Sequence, residues 1–251
     1  GAAVLAANAA LRSGVGKLTV ATEATAIVAQ AVPEARVVPF DTRRRPRGQA
    51  SAHDGFDAVL IGPGLAPSAA LRRAVAAALR MDARTTVILD AGALGPDAIG
   101  RWRSRDVDRT PVCVLTPHAG EMASLLGVSK ERVEADADAI ALDVAAQVSG
   151  VVVLKGATTR IAHAGRLWRF VNRNVGLAVS GSGDTLAGII AALAARGAAP
   201  AQAAAFGVAL HAFAGDALAG RYGPLGALAR EIPDEVPALM AGLARARSRK
   251  G

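Results

Sequence analysis

The residues best suited to chemistry lie in the run Val179-Ser180-Gly181-Ser182-Gly183-Asp184-Thr185-Leu186-Ala187-Gly188. Gly181 and Gly183 free the backbone to turn tightly and to approach a ligand closely. Leu186, Ile189, Ile190 and Leu193 then recur at helical spacing, which puts Asp184 in the first turn of a predicted helix. The first amides of a helix have no internal partner, and they stand at the positive end of the helix dipole. Such a turn is a natural cradle for phosphate oxygens. A carboxylate beside it can accept the proton of a hydroxyl that attacks phosphorus. The same residues also suit a plain helix cap behind a tight turn, and the pattern Gly-x-Gly-Asp by itself does not separate the two readings.

Other polar groups stand at the ends of predicted strands. Nearly continuous apolar runs at 18–21, 58–61, 87–89, 112–115 and 151–154 fit a parallel sheet covered on both faces. Four of them stop at Gly62-Pro63-Gly64, Asp90-Ala91-Gly92, Thr116-Pro117-His118 and Lys155-Gly156. In an open α/β sheet, ligands bind beyond the carboxyl ends of the strands. Lys155 at such an end therefore suits a phosphate ligand better than an idle surface lysine. His118, directly after Pro117, reads by itself as a turn residue. Asp90 either faces the same edge or only ends its strand. Glu121 places favourable charge in a helix's first turn.

The elements that must position these groups alternate along the chain. Helical patterns cover 2–13, 68–79, 121–126 and 136–148. Ser68 suits the N-cap of a helix that carries Leu71, Val75, Ala78 and Leu79 on one face, and Gly14 and Gly127 suit helix stops. After 151–154, the segments 159–162 and 167–171 flank His163-Ala164-Gly165-Arg166, which predicts an antiparallel hairpin. Helices are then expected at 184–195, 201–219 and 234–247. The stretch 40–54 reads as a polar loop. With no internal repeat and 251 residues, the chain suits one α/β domain spanning 1–251.

Composition narrows the function classes. A hydrophobic share of 52% provides for a sizeable core, and an aromatic share of 3% argues against a base-stacking nucleic-acid platform. The net charge is +8, but its clusters at 43–47 and 245–250 read as solvated charge in a loop and at a frayed end. His53, His163 and His211 match no motif and read as surface or helix-packing residues. The single cysteine, Cys113, lies in an apolar strand, which excludes a disulfide framework and points to core packing. No signal peptide and no apolar run long enough to span a bilayer is visible, so the expectation is a cytoplasmic protein with neither membrane nor nucleic acid as partner. The chain opens at Gly1, without a methionine, directly into a helical pattern, as though an upstream segment preceded it.

Gly181-Ser182-Gly183-Asp184 at the head of an apolar helix resembles the anion hole and catalytic base of the ribokinase-like superfamily. That fold is a three-layer α/β/α sandwich with a central, mostly parallel sheet and helices on both faces. Further motifs are similar to those of the NAD(P)H-hydrate dehydratase family, in the family's order and over nearly the whole chain. They are Gly1-Ala2-Ala3 with Ala9-Ala10-Leu11-Arg12-Ser13-Gly14-Val15-Gly16-Lys17-Leu18-Thr19, then Gly62-Pro63-Gly64-Leu65, Leu89-Asp90-Ala91, Leu115-Thr116-Pro117-His118-Ala119-Gly120-Glu121 and Leu154-Lys155-Gly156-Ala157-Thr158-Thr159.

The resemblance implies repair of NADH or NADPH that has taken up water across a ring double bond (NADHX and NADPHX). The hydroxyl at carbon 6 of the 6S hydrate is phosphorylated from ADP or ATP, and loss of phosphate restores the double bond. ADP is the favoured donor, and Mg2+ is expected because phosphoryl transfer needs its charge neutralised. Asp184 matches the base and also binds the hydrate. Gly181, Ser182 and Gly183 match the anion hole through their amides, and Gly183 also touches the nucleotide. Lys155, Gly156, Ala157, Thr158 and Thr159 match the nucleotide-binding segment. Gly64, His118 and either Ala2 or Ala3 match hydrate-binding positions, and Glu121 matches an indirect metal position. A homo-oligomer, with a tetramer as the suggested size, is also implied. Ser182 stands where the family usually has threonine, and Ala66 where glycine is common. Family members carry a strand and a glycine-rich turn upstream of Gly1. The alternatives are a hydroxyethylthiazole or hydroxymethylpyrimidine type of kinase, or a catalytically silent nucleotide-binding protein.

Overall fold

A computed structural model of the chain describes residues 1–40, 55–95, 97–103, 106, 108–172 and 174–248. The basic stretch 43–47, His53 and the rest of the polar loop at 41–54 lie outside the described residues, as does the end of the chain at 249–251. In chain order the elements are α1 (Ala2–Arg12), β1 (Thr19–Thr22), α2 (Thr25–Ala31), β2 (Arg36–Pro39), β3 (Ala58–Ile61), α3 (Ala69–Ala78), β4 (Thr86–Leu89), α4 (Asp97–Arg103) and β5 (Val112–Leu115). There follow α5 (Ala119–Leu126), α6 (Lys130–Ala135), α7 (Ala137–Gln147), β6 (Val151–Leu154), β7 (Thr158–His163), β8 (Arg166–Val171), α8 (Ser182–Ala195), α9 (Pro200–Tyr222) and α10 (Ile232–Ser248).

The central sheet has the order β3-β4-β5-β6-β7-β8. Strands β3 to β6 run parallel, and the hairpin of β7 and β8 closes one side antiparallel. Side chains on successive strand residues point to opposite faces, so each buried strand feeds two cores. Val87, Leu89, Cys113, Leu115, Val152 and Leu154 meet Leu71 of α3, Trp102 of α4, Met122 of α5 and Val144 of α7 on one face. Ile88, Val114, Val151 and Val153 meet Leu186 and Ile190 of α8 and Ala204 and Val208 of α9 on the other. This is the expected three-layer arrangement, and Cys113 is a core residue as read.

Two expectations need correction. The run at 18–21 forms β1, one residue further on, and it pairs only with β2 in a separate two-stranded sheet. Strand β2 carries only Val37 and Val38 between Arg36 and Pro39, too short an apolar run to stand out in sequence. Contrary to the reading that no run could span a bilayer, α9 has the length and apolar composition to do so. More than half of that stretch is buried inside the fold, against α8, α10 and the sheet.

Helix α1 is seated by small residues. A methyl group on Gly188 of α8 would stand 2.3 Å from the Ala6 carbonyl oxygen and 2.9 Å from Ala9 Cβ. The alanine-rich face of α1 therefore approaches the α8 backbone closely. Ala9 continues into a small core with Ile189, Leu210 and Val236, which ties α1 to α8, α9 and α10. This packing brings the chain's opening residues to the carboxyl edge of the sheet.

Candidate active site

The parallel strands all point their carboxyl ends at one edge, and the ladders continue stepwise past them. Asp90 N–H donates to the Ile61 carbonyl, Thr116 N–H to the Leu89 carbonyl and Lys155 N–H to the Pro117 carbonyl, at 3.0, 3.0 and 2.8 Å. Backbone pairing thus sets Asp90, Thr116, His118 and Lys155 side by side. Lys155 Nζ donates to Asp90 Oδ1 at 2.8 Å, and Thr116 Oγ1 donates to the same oxygen at 2.8 Å. Glu121 Oε2 lies 3.6 Å from Lys155 Nζ. Asp90 is only 2% exposed, so its charge must be paired, and Lys155 pairs it.

Gly181 precedes α8 with φ at +89°, a conformation that side chains disfavour, and a methyl group there would meet Leu5 Cδ1 at 2.4 Å. Behind this turn the amides of Gly183 and Asp184 have no hydrogen-bond acceptor among the described residues. A methyl group on Gly183 would stand 3.3 Å from Lys155 Nζ, so the open helix terminus faces the strand-end ammonium. Ser182 departs from expectation. Its N–H donates to the Val179 carbonyl at 3.1 Å, and its side chain is buried, so its amide is not free for an anion. Burial of Asp184 foremost, and then the negative charge of Asp90, push the Asp184 carboxyl above its usual value, with Lys155 opposing. A more basic carboxylate at an open helix terminus suits proton abstraction from a hydroxyl.

The remaining expected residues border this centre. Gly64 lies against the start of α1, where an added methyl group would be 3.1 Å from Ala2 Cβ and 3.9 Å from the Ala3 nitrogen. His118 caps α5: its Nδ1 accepts from the Glu121 N–H at 3.1 Å, and Glu121 Oε2 accepts from the His118 N–H at 2.8 Å. Glu121 is thus a capping carboxylate whose second neighbour is Lys155. Gly156, Ala157 and Thr158 form the exposed or half-buried link from β6 into β7. Thr159 is turned inward, and its hydroxyl donates to the Gly156 carbonyl at 3.2 Å. His163 is far from this edge in the hairpin, where its Nδ1 lies 3.0 Å from the Gly150 carbonyl.

Three residues at the site were missed or left open by the sequence. Asp90 faces the site. Thr185 donates through Oγ1 to the Ser182 carbonyl at 2.7 Å. His211 of α9 packs under α8, and its Nε2 lies 3.0 Å from both the Ser182 carbonyl and the Ser182 hydroxyl. A strand-end position was the available signal for Asp90. Nothing local marks His211, which meets Ser182 across 29 residues.

An open sheet with a carboxylate at the head of a glycine-led helix, opposite a strand-end lysine, defines an α/β protein of ribokinase-like fold whose edge suits phosphoryl transfer. A ribokinase-like superfamily protein of Enterococcus faecalis, 27% identical, superimposes with a TM-score of 0.76 over 96% of this chain and 82% of its own. The family model described as NAD(P)H-hydrate dehydratase matches residues 1–238. The ADP-dependent (S)-NAD(P)H-hydrate dehydratase of Xanthomonas campestris is 45% identical over 98% of this chain and 85% of its own length. The ADP/ATP-dependent NAD(P)H-hydrate dehydratase of Bacillus subtilis, co-crystallised with ATP and Mg2+, is 31% identical with a TM-score of 0.82, over 96% of this chain and 84% of that one. The chain belongs to the NAD(P)H-hydrate dehydratase family.

Proposed function

We propose that this enzyme repairs NADHX and NADPHX by phosphorylating the ring hydroxyl from ADP and releasing phosphate. The observation that carries the reading is the Asp184 carboxylate, made more basic by burial and Asp90, beside two open amides and Lys155. The hydrate lies along Gly64, the start of α1 and His118, with its hydroxyl toward Asp184. Asp184 accepts the hydroxyl proton as the oxygen bonds to the terminal phosphorus of ADP. The bond from that phosphorus to the bridging oxygen breaks, and AMP leaves. The Gly183 and Asp184 amides and Lys155 stabilise the charge on the transferring group. The phosphorylated ring then loses phosphate and a neighbouring proton, which restores the double bond.

Among the described residues no group of three His, Cys, Asp or Glu could cage a metal. Mg2+ needs no such cage, since it is commonly held by one or two carboxylates, water and substrate phosphates. The edge fits that mode, with Glu121 as the carboxylate acting through water. Bound there, Mg2+ neutralises phosphate charge.

The test is to mix the protein with NADH hydrate, Mg2+ and either ADP or ATP, and to follow the return of reduced-nicotinamide absorbance. Recovery should require nucleotide, be faster with ADP, and be lost in Asp184→Asn. A stable phosphorylated product without NADH would establish the small-molecule kinase instead. Nucleotide-induced stabilisation without turnover would favour the silent binder.

A further inference from the structure

We propose that His211 is a positioning residue of the anion hole: together with Thr185 it holds the Ser182 carbonyl inward and so aims the Gly183 N–H at the transferring phosphoryl group. The inference rests on the phosphoryl-transfer reading of the site. The Ser182 carbonyl and the Gly183 N–H belong to one peptide unit. Among the described residues every peptide bond is trans, so these two groups point in opposite directions. Whatever fixes the carbonyl also fixes the amide.

The carbonyl is fixed from the buried side. Thr185 Oγ1 donates to it at 2.7 Å, and His211 Nε2 stands at 3.0 Å. A carbonyl oxygen only accepts, so the support requires the tautomer with the ring proton on Nε2, which also reaches the Ser182 hydroxyl at 3.0 Å. Thr185, Ser182 and His211 are all buried, so water cannot replace these bonds. The support matters because first-turn amides have no intrahelical partner. Thr185 belongs to the same helical turn and moves with it. His211 is anchored separately, on α9, and ties that turn to the body of the fold. Burial also pushes the imidazole down to about 4, so the support is uncharged at neutral pH.

Two variants test this in the intact protein. His211→Phe fills the space without a donor, and His211→Gln places an amide donor near the position of Nε2. Outright loss of one oxyanion donor lowers kcat by roughly 10²–10³. A misaimed donor should cost less, so H211F should lower kcat about tenfold or more with little change in the KM for hydrate. H211Q should recover most of it while melting no higher than H211F. Wild-type kcat in folded H211F, a loss confined to KM, or glutamine no better than phenylalanine would overturn the proposal. If H211F does not fold, His211→Asn, whose amide is too short to reach, replaces it with the same expected loss. If wild type itself turns over no hydrate, only the functional reading fails. A crystal structure of the variant then decides, and an unmoved Gly183 N–H would overturn the inference.

Discussion

Asp90→Asn keeps the shape of the side chain and removes its charge. Asp90 holds Lys155 Nζ and Thr116 Oγ1, both at 2.8 Å, and is almost wholly buried. The Lys155 side chain is 17% exposed, so solvent compensates little for the lost partner. Removing one member of a buried ion pair costs about 3–5 kcal/mol. Glu121, at 3.6 Å from Nζ, remains as a weaker partner and sets the expectation at the low end, about 3 kcal/mol. In a chain of this size about 1 kcal/mol moves the melting temperature by about 2–4 °C, so D90N should melt about 6–12 °C lower. The same substitution has a second effect that a general loosening would not produce. The charge of Asp90 helps to hold the Asp184 carboxyl above its usual value, second only to burial. As the proposed base Asp184 works deprotonated, so activity should fall as pH drops through its pKa. Without Asp90 that pKa declines, and the acid limb of kcat/KM should move to lower pH. Calorimetry and a pH profile of wild type and D90N provide the test. An acid limb that stays in place or moves up would refute the electrostatic account. An unchanged melting temperature would refute the burial account.

Two further substitutions separate stability from activity. The raised pKa of Asp184 means that the folded state takes up protons more readily there than the unfolded state, so ionisation of this group subtracts stability as pH rises through its folded pKa. Asp184→Asn should therefore melt at or above the wild-type temperature at neutral pH while losing roughly 10²–10⁴ in kcat, and a lower melting temperature would contradict the argument. Gly183→Ala should gain up to about 1 kcal/mol of helix stability, because alanine outranks glycine in a helix. Its methyl group would stand 3.3 Å from Lys155 Nζ, so kcat should drop as the melting temperature rises, and unchanged turnover would show that this gap is not occupied by the reacting group.

The legible parts of the fold were those whose cause is local. Segments 58–61, 112–115 and 151–154 are strands with the bounds expected, because a strand covered on both faces leaves an unbroken apolar run. The hairpin was legible from its turn, where Ala164 and Gly165 both take positive φ. Gly181 to Asp184 was legible because a glycine turn and a helix start are adjacent in sequence. Strand β2 was not, since only Val37 and Val38 stand between Arg36 and Pro39 and the strand pairs only with β1. The site's wiring was not legible either. Lys155 reaches Asp90 across 65 residues, and His211 reaches Ser182 across 29. Those contacts follow from strand order and helix packing, which a periodicity reading does not supply. The amide of Ser182 was not legible for a related reason, since its acceptor, the Val179 carbonyl, depends on how 179–182 turns.

The charges of the site set two requirements against each other. Asp90 and Glu121 help to raise the Asp184 pKa, and so strengthen the base, because they are negative. The same charges repel the phosphates of a nucleotide. Lys155 lies between these demands: it pairs with Asp90, approaches Glu121 and faces the α8 terminus. Counting side chains, three carboxylates surround one ammonium, so the side-chain charge of the edge is negative before any nucleotide arrives. Neutral donors can therefore bind an anion there without weakening the proposed base. The open Gly183 and Asp184 amides are such donors, and Mg2+ accompanying the nucleotide would neutralise phosphate charge. On this account the orientation of one peptide unit matters as much as the charge of any side chain, and the buried, uncharged His211 is suited to holding it.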